Sequence, residues 1–544
     1  MTRQEERLIR SRLRRSWAPF FGRFGRFTPI QVLTIPKVLD GYNVAVAAPT
    51  ASGKTEAVVA PVAERYISER RQGVAMLYVV PTRALANDTH ARVAGPLGEM
   101  GISVALKHGD RPMLPSQLPE CLITTPESLD SLLCRRPRAF EQLQVVIVDE
   151  IHLLDGTYRG DQLRVLLRRL ERVATSPPSV HLLSATLSQP ADTASRYAST
   201  FELVRAGEPR QMVYHLLNSH QEVHSLARAQ GWRKLLCFCN LRESVEQTAS
   251  ELARVWHPYP VVAHHGSLSR QLREEAETLM KDADVAVCVA TSTLEVGIDI
   301  GDIDLVVLAE VPWSITALLQ RIGRGNRRRG TVQVAALCTS PDERSVLEAM
   351  FEAAATGELP VQVYEPDLSV VVQQALSCIY QHPGGLNQEE LIDLVSPLCS
   401  GYEATLVLSN LEGHGWVEQA RGLWCPSQKL MDAGEAGRIH SNIPDQSEYR
   451  VIDVDSGKEI GAVHAVFDEV FVLGRSTWTV VSVSRGVIRV RRFAGRASPA
   501  VFRRHGPVGA FFPLLPPELK DRYARAGEHG LGWQAGPTGL GVYR

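Results

Sequence analysis

The chain lacks an apolar run of membrane-spanning length, and its first residues lack the apolar core of a secretion signal. Its nine cysteines include no C-x-x-C pair, the usual ligand spacing of zinc and iron–sulfur sites, so we expect neither kind of site. An odd number of cysteines suits a reducing compartment. These absences predict a cytoplasmic protein without membrane partners.

An excess of charge of one sign is also lacking. Lys and Arg total 59 against 60 Asp and Glu, so the net charge is −1 and the whole chain does not resemble a polyanion-binding protein. Arginine is nevertheless concentrated in four segments, at residues 10–15, 135–138, 327–329 and 489–504. A nucleic-acid-binding surface needs only a local basic stripe, whereas the plainer alternative for each segment is a solvated face.

The composition is that of an ordinary soluble protein, with 44% hydrophobic and 22% charged residues among 544. At roughly 100–200 residues per domain, this length suits about three to five domains. Continuous apolar runs such as Val74–Val80 and Val145–Val148 predict strands buried on both faces of a parallel sheet. Such strands alternate with helices in two α/β units, which a linker near residues 205–210 separates.

The segment Ala48–Thr55 reads APTASGKT and lies between an apolar strand and a helix-like segment that begins at Glu56. Small residues let backbone N–H groups approach phosphates, and the N-terminus of a helix adds positive potential. Lys54 is placed for the β- and γ-phosphates and Thr55 for Mg²⁺. Because Ala48 replaces the first glycine of the strict pattern, this segment alone leaves a chance loop open. Its predicted ATP-binding residues are Pro49, Thr50, Ser52, Gly53, Lys54, Thr55 and Glu56.

Asp149 and Glu150 follow the apolar run Val145–Val148, at the predicted C-terminal end of a strand. A phosphoanhydride hydrolase needs one carboxylate near Mg²⁺ and a second one that orients the attacking water. We assign the metal to Asp149 and the water to Glu150. The alternative is an acidic turn at the end of a strand.

Three further side chains complete the predicted catalytic site. Gln31 follows Thr-Pro at the start of a helix, where its amide can bind an adenine edge or merely cap the helix. Arg324 and Arg327 lie three residues apart in the second α/β unit, so on a helix they share a face. They can act as arginine fingers on the γ-phosphate, or as a basic patch on nucleic-acid phosphates.

These motifs occur in the order found in superfamily-two helicases, and residues 20–355 resemble the core of that family. The matching segments are Thr28–Gln31, Ala48–Thr55, Pro81–Leu85, Thr124–Glu127, Asp149–His152, Ser184–Thr186, Gly297 with Asp299, and Gln320–Arg327. Within the family, His264–Ser269 and Thr291–Glu295 look like those of the large helicase-related (Lhr) proteins. The chain departs from the usual pattern at Asn326, where many relatives have glycine, and in the extra arginines that follow.

The resemblance implies that ATP and Mg²⁺ are the cofactors, and it assigns roles to further residues. Gly297, Asp299 and Gln320 join the ATP site, while Thr55 and Asp149 become the metal ligands. A second group, formed by His152, Ser184 and Thr186, would link closure of the cleft to the grip on a strand. Candidate contacts to a nucleic-acid backbone are Thr82, Arg83, Thr125, Ser267 and Thr291.

Two smaller modules are predicted after the helicase core. Helices followed by a short hairpin within residues 366–430 outline a winged helix, with a small helical brace as the alternative. Short alternating strands within residues 440–505 predict a small antiparallel β-barrel-like module. The resemblance implies that the winged helix packs on the second lobe of the core. We expect the family's long C-terminal helical region to be absent, because only residues 506–544 remain.

The expected fold class is therefore α/β, with two tandem RecA-like parallel-sheet domains followed by a winged-helix domain and a small antiparallel β-barrel-like domain. The expected domains are a basic N-terminal helix (1–19), RecA-like domains at 20–206 and 207–360, the winged helix (366–430), the barrel-like module (440–505) and an irregular tail (506–544).

The predicted function is that of an ATP-dependent helicase or translocase, moving 3′→5′ on single-stranded DNA and unwinding DNA or RNA–DNA duplexes. Two alternatives stay open. The first is an ATP-gated clamp or motor subunit of a repair or defence complex that separates no strands itself, and the second is an RNA helicase. The expected partners are single-stranded and duplex DNA or an RNA–DNA hybrid, together with the proteins of such a complex.

Overall fold

A computed structural model describes most of the chain. The described residues are 3–49, 52–68, 73–111, 113–185, 189–206, 211–294, 300–325, 331–356, 364–444, 449–463, 470–474, 476–484, 486–493, 498–499 and 509–520. Five predicted site residues lie outside them, namely Thr50, Thr186, Gly297, Asp299 and Arg327. Within these ranges, no helix combines the length and apolarity that crossing a bilayer requires. Each of the nine cysteines is a free thiol.

The first α/β domain, lobe one, contains a parallel sheet of seven strands. They are β1 (Val44–Ala47), β2 (Met76–Val79), β3 (Val104–Lys107), β4 (Cys121–Thr124), β5 (Val145–Val148), β6 (Ser179–Ser184) and β7 (Glu202–Arg205). Their order across the sheet is β3-β4-β2-β5-β6-β1-β7. Both β2 and β5 are buried along their whole length, and alternate residues enter two different cores, as their continuous apolar sequences predict.

Helices cover both faces of this sheet. They are α1 (Arg3–Arg12), α2 (Trp17–Phe21), α3 (Pro29–Leu39), α4 (Lys54–Ser68), α5 (Arg83–Glu99), α6 (Pro126–Arg135), α7 (Tyr158–Val173) and α8 (Pro190–Ser195). The predicted basic N-terminal helix is α1. Its residue Ile9 and the following Leu13 are buried in the same core as β1, so α1 packs as part of lobe one.

The second α/β domain, lobe two, has a parallel sheet of six strands. They are β8 (Gln211–Leu217), β9 (Lys234–Phe238), β10 (Val261–His264), β11 (Ala286–Ala290), β12 (Leu305–Leu308) and β13 (Thr331–Leu337), in the order β10-β11-β9-β12-β13-β8. The helices are α9 (His220–Gln230), α10 (Arg242–Val255), α11 (Arg270–Asp282), α12 (Ile315–Ile322) and α13 (Pro341–Thr356). The two parallel sheets confirm the predicted tandem arrangement.

The winged-helix module follows lobe two, which confirms that prediction over the helical brace. Its elements are α14 (Ser369–Gln381), α15 (Gln388–Val395), α16 (Gly401–Gly413), the hairpin of β14 (Val417–Ala420) and β15 (Leu423–Pro426), and α17 (Gln428–Glu435). Helix α14 packs against α6 and α7 of lobe one. The expectation that this module packs on lobe two is therefore wrong. The contact with lobe one is polar as well as apolar, because α14 supplies side-chain partners to the buried charges of Asp130 and Arg169.

The barrel module is a curled sheet of six short strands. They are β16 (Tyr449–Asp453), β17 (Glu459–Val463), β18 (Val470–Leu473), β19 (Ser476–Ser484), β20 (Val487–Arg492) and β21 (Ser498–Pro499), in the order β17-β16-β20-β19-β18-β21. Three pairs are antiparallel, but β16–β20 and β18–β21 are parallel, because β20 returns beside β16 after the intervening strands. The apolar side of this sheet shares one core with lobe two.

The chain crosses between the two lobes more than once. After the barrel module, residues 509–520 return to the winged helix, where Phe511 and Leu515 join its core. In addition, Nδ2 of Asn410 donates to the carbonyl of Leu514 at 2.8 Å. The described part of the predicted irregular tail is therefore packed against the winged helix.

Candidate nucleotide-binding site

Three neighbouring strands of lobe one end at the predicted nucleotide-binding groups. Strands β5, β6 and β1 are adjacent and parallel, so their C-terminal ends share one edge of the sheet. At this edge β1 leads into the phosphate loop, β5 into Asp149 and Glu150, and β6 ends at Ser184. Open parallel sheets bind ligands at this edge, so the fold brings together groups that lie far apart in sequence.

The phosphate loop, residues 48–55, is shaped by a glycine with positive φ. Gly53 has a φ of +89°, and a β-carbon there would lie 2.2 Å from Nε2 of Gln31. The positive φ favours glycine at this position, whereas the amide of Gln31, at the end of a flexible side chain, would have to shift to admit a β-carbon. The hydroxyl of Thr28 donates to the carbonyl of Ser52 at 2.7 Å, which ties the loop to the start of α3.

Lys54 is the first residue of α4, at a helix N-terminus of the kind that attracts phosphates. Its Nζ donates to the carbonyls of Ala48 at 2.6 Å and Pro49 at 3.2 Å. Burial lowers the pKa of Lys54, while the carboxylates of Glu150 and Asp149 oppose that effect. The ammonium group thus folds over the phosphate loop and faces the acidic pair.

Gln31 forms the helix cap that was the plainer alternative for it. Its Oε1 accepts from the backbone N–H of Thr28 at 2.9 Å, and its Nε2 donates to the carbonyl of Gly53 at 3.3 Å. The amide therefore connects the start of α3 with the phosphate loop. An adenine contact by Gln31 stays a prediction.

Asp149 and Glu150 are buried side by side at the end of β5. Oδ2 of Asp149 accepts from the hydroxyl of Tyr78 at 2.7 Å, and Oδ1 accepts from the backbone N–H of Glu150 at 2.8 Å. Burial raises the pKa of Asp149, and the charge of Glu150 raises it further. Two adjacent buried carboxylates favour the presence of a cation, which agrees with the predicted metal-binding role.

Glu150 adopts the left-handed backbone conformation, with φ at +46°, which is uncommon for a residue other than glycine. Strain of this kind costs on the order of 1–3 kcal/mol and is concentrated at functional sites. Its Oε2 accepts from the backbone N–H of Ala185 at 3.2 Å and lies 3.4 Å from Nδ1 of His152. The loop after β6 therefore contacts the carboxylate that is predicted to orient water.

His152 links this carboxylate to Ser184. Its Nδ1 lies 2.9 Å from the hydroxyl of Ser184. Burial lowers the pKa of His152 to about 3, so the ring is neutral and can donate at one nitrogen while accepting at the other. Among the described residues, Nε2 of His152 has no hydrogen-bond partner. These contacts match the coupling role predicted for His152 and Ser184, which stays a prediction.

Thr55 and Asp149 present hydroxyl and carboxylate oxygens, which are the ligands that Mg²⁺ prefers. A guanidinium group lies beside them in this structure. Nη2 of Arg92, from α5, donates to Oγ1 of Thr55 at 3.2 Å, and Nε of Arg92 pairs with Asp88 at 3.1 Å. The donor set therefore fits a magnesium ion, whereas the guanidinium of Arg92 places a positive charge at Thr55 that opposes one.

Tyr78 and Arg92 are site residues that sequence reasoning did not identify. Tyr78 carries the one hydroxyl in the apolar run Val74–Val80, and an isolated hydroxyl in a buried strand could have indicated a site residue. The sequence around Arg92 carries no comparable signal, because the position of this side chain depends on how α5 packs beside the phosphate loop.

Two predicted site residues of lobe two lie at the end of α12 and just beyond it. Gln320, in α12, is 6% exposed, and Arg324, just beyond α12, is 4% exposed. Besides burial, the charge of Arg324 lowers the pKa of Lys54, so the two groups lie within electrostatic range. Arg324, one of the two predicted arginine fingers, therefore lies close enough to Lys54 for their charges to interact; its role as a finger stays a prediction.

The predicted nucleic-acid contacts lie beside other strands of the same two sheets. Thr82 and Thr125 immediately precede α5 and α6, in the segments that follow the adjacent strands β2 and β4. In lobe two, Ser267 and Thr291 follow the adjacent strands β10 and β11. Thr82 and Arg83 are exposed, whereas the other three are buried in this structure. Contact with nucleic acid stays a prediction for all five.

A second buried polar cluster joins lobe one to the winged helix. Asp130, Cys134 and His440 lie close enough together to hold a metal ion. However, Arg169 donates to Asp130 at 2.5 Å and to Sγ of Cys134 at 3.3 Å, and Nδ1 of His440 lies 2.9 Å from Asp130. A buried guanidinium already supplies the positive charge, so this geometry is that of a structural ion network.

Two helicase family models match the sequence. The DEAD/DEAH box helicase model matches residues 28–194, and the helicase conserved C-terminal domain matches residues 216–329. The ATP-dependent helicase Lhr-Core protein 2 of Thermococcus barophilus is 29% identical over 542 residues, covering 85% of this chain and 61% of that protein. The ATP-dependent helicase Lhr-Core of Saccharolobus solfataricus is 26% identical over 548 residues, covering 88% and 62%. The chain thus spans about three fifths of these relatives.

Solved structures show the same architecture. The helicase Lhr of Mycobacterium smegmatis, bound to single-stranded DNA and AMP-PNP, superposes with a TM-score of 0.68 at 25% identity, over 79% of this chain and 62% of that chain. The DUF1998 helicase MrfA bound to DNA superposes with a TM-score of 0.73 at 19% identity, over 89% and 73%. The second likeness concerns the fold alone.

Proposed function

Because the chain belongs to the DEAD/DEAH box helicases of superfamily two and resembles the Lhr-Core helicases, we propose that it is an ATP-dependent motor on nucleic acid. The finer proposal is 3′→5′ movement on single-stranded DNA, with unwinding of DNA or RNA–DNA duplexes. The observation that supports it is that Lys54 lies within electrostatic range both of the acidic pair of lobe one and of Arg324 of lobe two. In such a composite site, the rate of ATP hydrolysis would depend on the relative position of the two lobes.

The proposed chemistry assigns one task to each group. Lys54 leaves the carbonyls of its own loop and binds the β- and γ-phosphates. Thr55 and Asp149 hold Mg²⁺, which when bound neutralises charge on the phosphates. Glu150 orients the attacking water, and Arg324 stabilises the charge that develops on the γ-phosphate. Catalysis of this type consists almost entirely of positioning and charge stabilisation.

The proposed coupling of hydrolysis to movement uses the loop after β6. This loop contacts Glu150 through the N–H of Ala185, and Ser184 contacts His152. A shift of the loop during cleft closure would therefore move the water-orienting carboxylate. The candidate strand contacts of lobe one lie at the same sheet edge, beside β2 and β4.

Single-stranded DNA is the proposed substrate because the M. smegmatis relative was solved with it and with an ATP analogue. The backbone contacts proposed here are Thr82, Arg83, Thr125, Ser267 and Thr291. Hydroxyl and guanidinium contacts to phosphates position a strand without reading its sequence. The proposed motor is accordingly not specific for sequence.

The first test is ATP turnover with and without single-stranded DNA, in the intact chain and in Lys54→Ala and Glu150→Gln. We expect stimulation by the strand in the intact chain and loss of turnover in both variants. ATP turnover that single-stranded DNA does not stimulate, or that persists in both variants, would contradict the proposal.

The second test is strand displacement on duplexes with a 3′ or a 5′ single-stranded tail, in DNA–DNA and RNA–DNA form. Displacement from 3′-tailed substrates alone supports the proposed direction. ATP-dependent binding without displacement would instead indicate a clamp. Activity confined to RNA-containing duplexes would indicate an RNA helicase, since an A-form hybrid presents different grooves and 2′-hydroxyls.

A further inference from the structure

A loop of lobe two that carries a predicted nucleic-acid contact is hydrogen-bonded to the barrel module. This loop, residues 264–269, contains Ser267. The backbone N–H of Ser269 donates to the carbonyl of Ile460 at 2.9 Å, and the N–H of Ala462 donates to the carbonyl of Ser267 at 2.7 Å. Because β17 is the edge strand of the barrel sheet, the loop acts as a short additional strand on that edge.

Gly461 permits this close pairing. It lies opposite Leu268 in an antiparallel bridge. A β-carbon at position 461 would lie 2.2 Å from the carbonyl oxygen of Ser267 and 3.1 Å from Cα of Leu268. Both are backbone atoms, which cannot rotate aside as a flexible side chain can. A side chain at this position would therefore push the loop away from β17.

Two further contacts attach the same loop. Oε1 of the buried Glu246 accepts from the backbone N–H of Gly474 at 2.7 Å and lies 2.9 Å from Nε2 of His265. One carboxylate thus bridges the barrel module and the loop. The side chain of Leu268 is buried in the apolar core that lobe two shares with the barrel. Backbone, polar and apolar contacts all fix the loop to the same module.

The position of Ser267 matters because a hydroxyl binds a phosphate only when it is held in the correct place. Its Oγ accepts from Nη1 of Arg242, in α10, at 2.6 Å. The backbone of Ser267 is held from the other side by β17. Movement of the barrel would therefore move the hydroxyl relative to α10.

We propose that the barrel module positions the loop of residues 264–269, which is predicted to bind the nucleic-acid backbone, and that Gly461 is a positioning residue which acts through Ser267. This inference rests on the proposed function, because it explains how a predicted nucleic-acid contact is held. The barrel thereby sets the affinity for single-stranded DNA without contributing to the ATP site.

The test compares Gly461→Ala and Leu268→Ala with the control Gly413→Ala, all in the full chain. Gly413, at the end of α16, has open space around an added β-carbon. Binding of a fluorescent single-stranded DNA is measured by anisotropy with an ATP analogue, and nucleotide binding is measured separately. Hydrogen exchange of the amides in residues 264–269 reports the state of the loop.

We expect Gly461→Ala to weaken DNA binding about tenfold, a change equivalent to only about 1.4 kcal/mol. Nucleotide affinity should not change, and exchange should accelerate in the loop. Leu268→Ala should likewise weaken DNA binding and accelerate loop exchange without changing nucleotide affinity, and Gly413→Ala should change none of the three. If Gly461→Ala fails to fold, Leu268→Ala decides the matter.

Unchanged DNA affinity in a variant whose loop exchange has accelerated would overturn the proposal. Equal losses of DNA and nucleotide affinity would overturn it too, because they would indicate general destabilisation. Failure of the proposed function is distinguishable, since the intact chain would then fail to bind single-stranded DNA at all.

Discussion

Replacing Asp130 by alanine should detach the winged helix from lobe one. Asp130 is 0% exposed, and its two oxygens are surrounded by donors. These donors are Arg169, Gln373, Gln374, Ser377 and His440. Removing the carboxylate leaves the buried guanidinium of Arg169 without its counter-charge. It also removes the hydrogen-bond acceptor of several side chains of α14.

The expected cost follows from burial. Removing one partner of a buried ion pair typically costs about 3–5 kcal/mol, because the other charge stays buried and uncompensated. Asp393 provides a matched control in the same interface. It pairs with Arg168 at 2.9 Å and with Arg172, but its side chain is 55% exposed. Asp393→Ala should therefore cost no more than about 1 kcal/mol.

Native-state hydrogen exchange of the α14 amides measures this cost as a free energy of opening. Asp130→Ala should lower that free energy by several times as much as Asp393→Ala does. The double variant Asp130→Leu/Arg169→Met should recover much of the loss, because apolar replacement of a buried pair is often close to neutral. Equal effects of Asp130→Ala and Asp393→Ala would refute the reasoning.

Three other outcomes are expected. Burial alone would lower the pKa of His440, but its hydrogen bond to Asp130 raises it to about 9, against 6.5 for an ordinary histidine. The protonated ring therefore stabilises docking of the winged helix fully below pH 6.5, and the free energy of opening derived from α14 exchange should fall as the pH rises through 9. Arg92→Gln removes a positive charge from Thr55, so half-maximal turnover should need less Mg²⁺; Arg138→Gln, with a side chain 94% exposed, is the control. Gly53→Ala should weaken ATP binding at least about tenfold, measured by titration with a fluorescent analogue, because a φ of +89° is strained for a residue with a β-carbon and the Gln31 amide would have to shift.

The strand-end groups were predictable because a parallel sheet collects the ends of all its strands at one edge. Knowing that β1 and β5 are strands was enough to place Lys54 near Asp149 and Glu150. The partners of Arg92 were not predictable, since they depend on how α5 packs across the sheet. The docking of α14 on lobe one was not predictable either, because it depends on a buried polar network that side chains of both modules form. Nor was the pairing of Ser267 with β17, because it depends on the space left at Gly461.

The central claim is that the catalytic site is divided between the two lobes, and Arg324→Ala tests it most directly. Nucleotide affinity and the rate of phosphate release are measured for this variant with saturating single-stranded DNA. We predict ATP binding close to that of the intact chain, with phosphate release slower by a factor on the order of 10³ or more, as for other arginine fingers. Phosphate release at the intact rate would contradict the divided site.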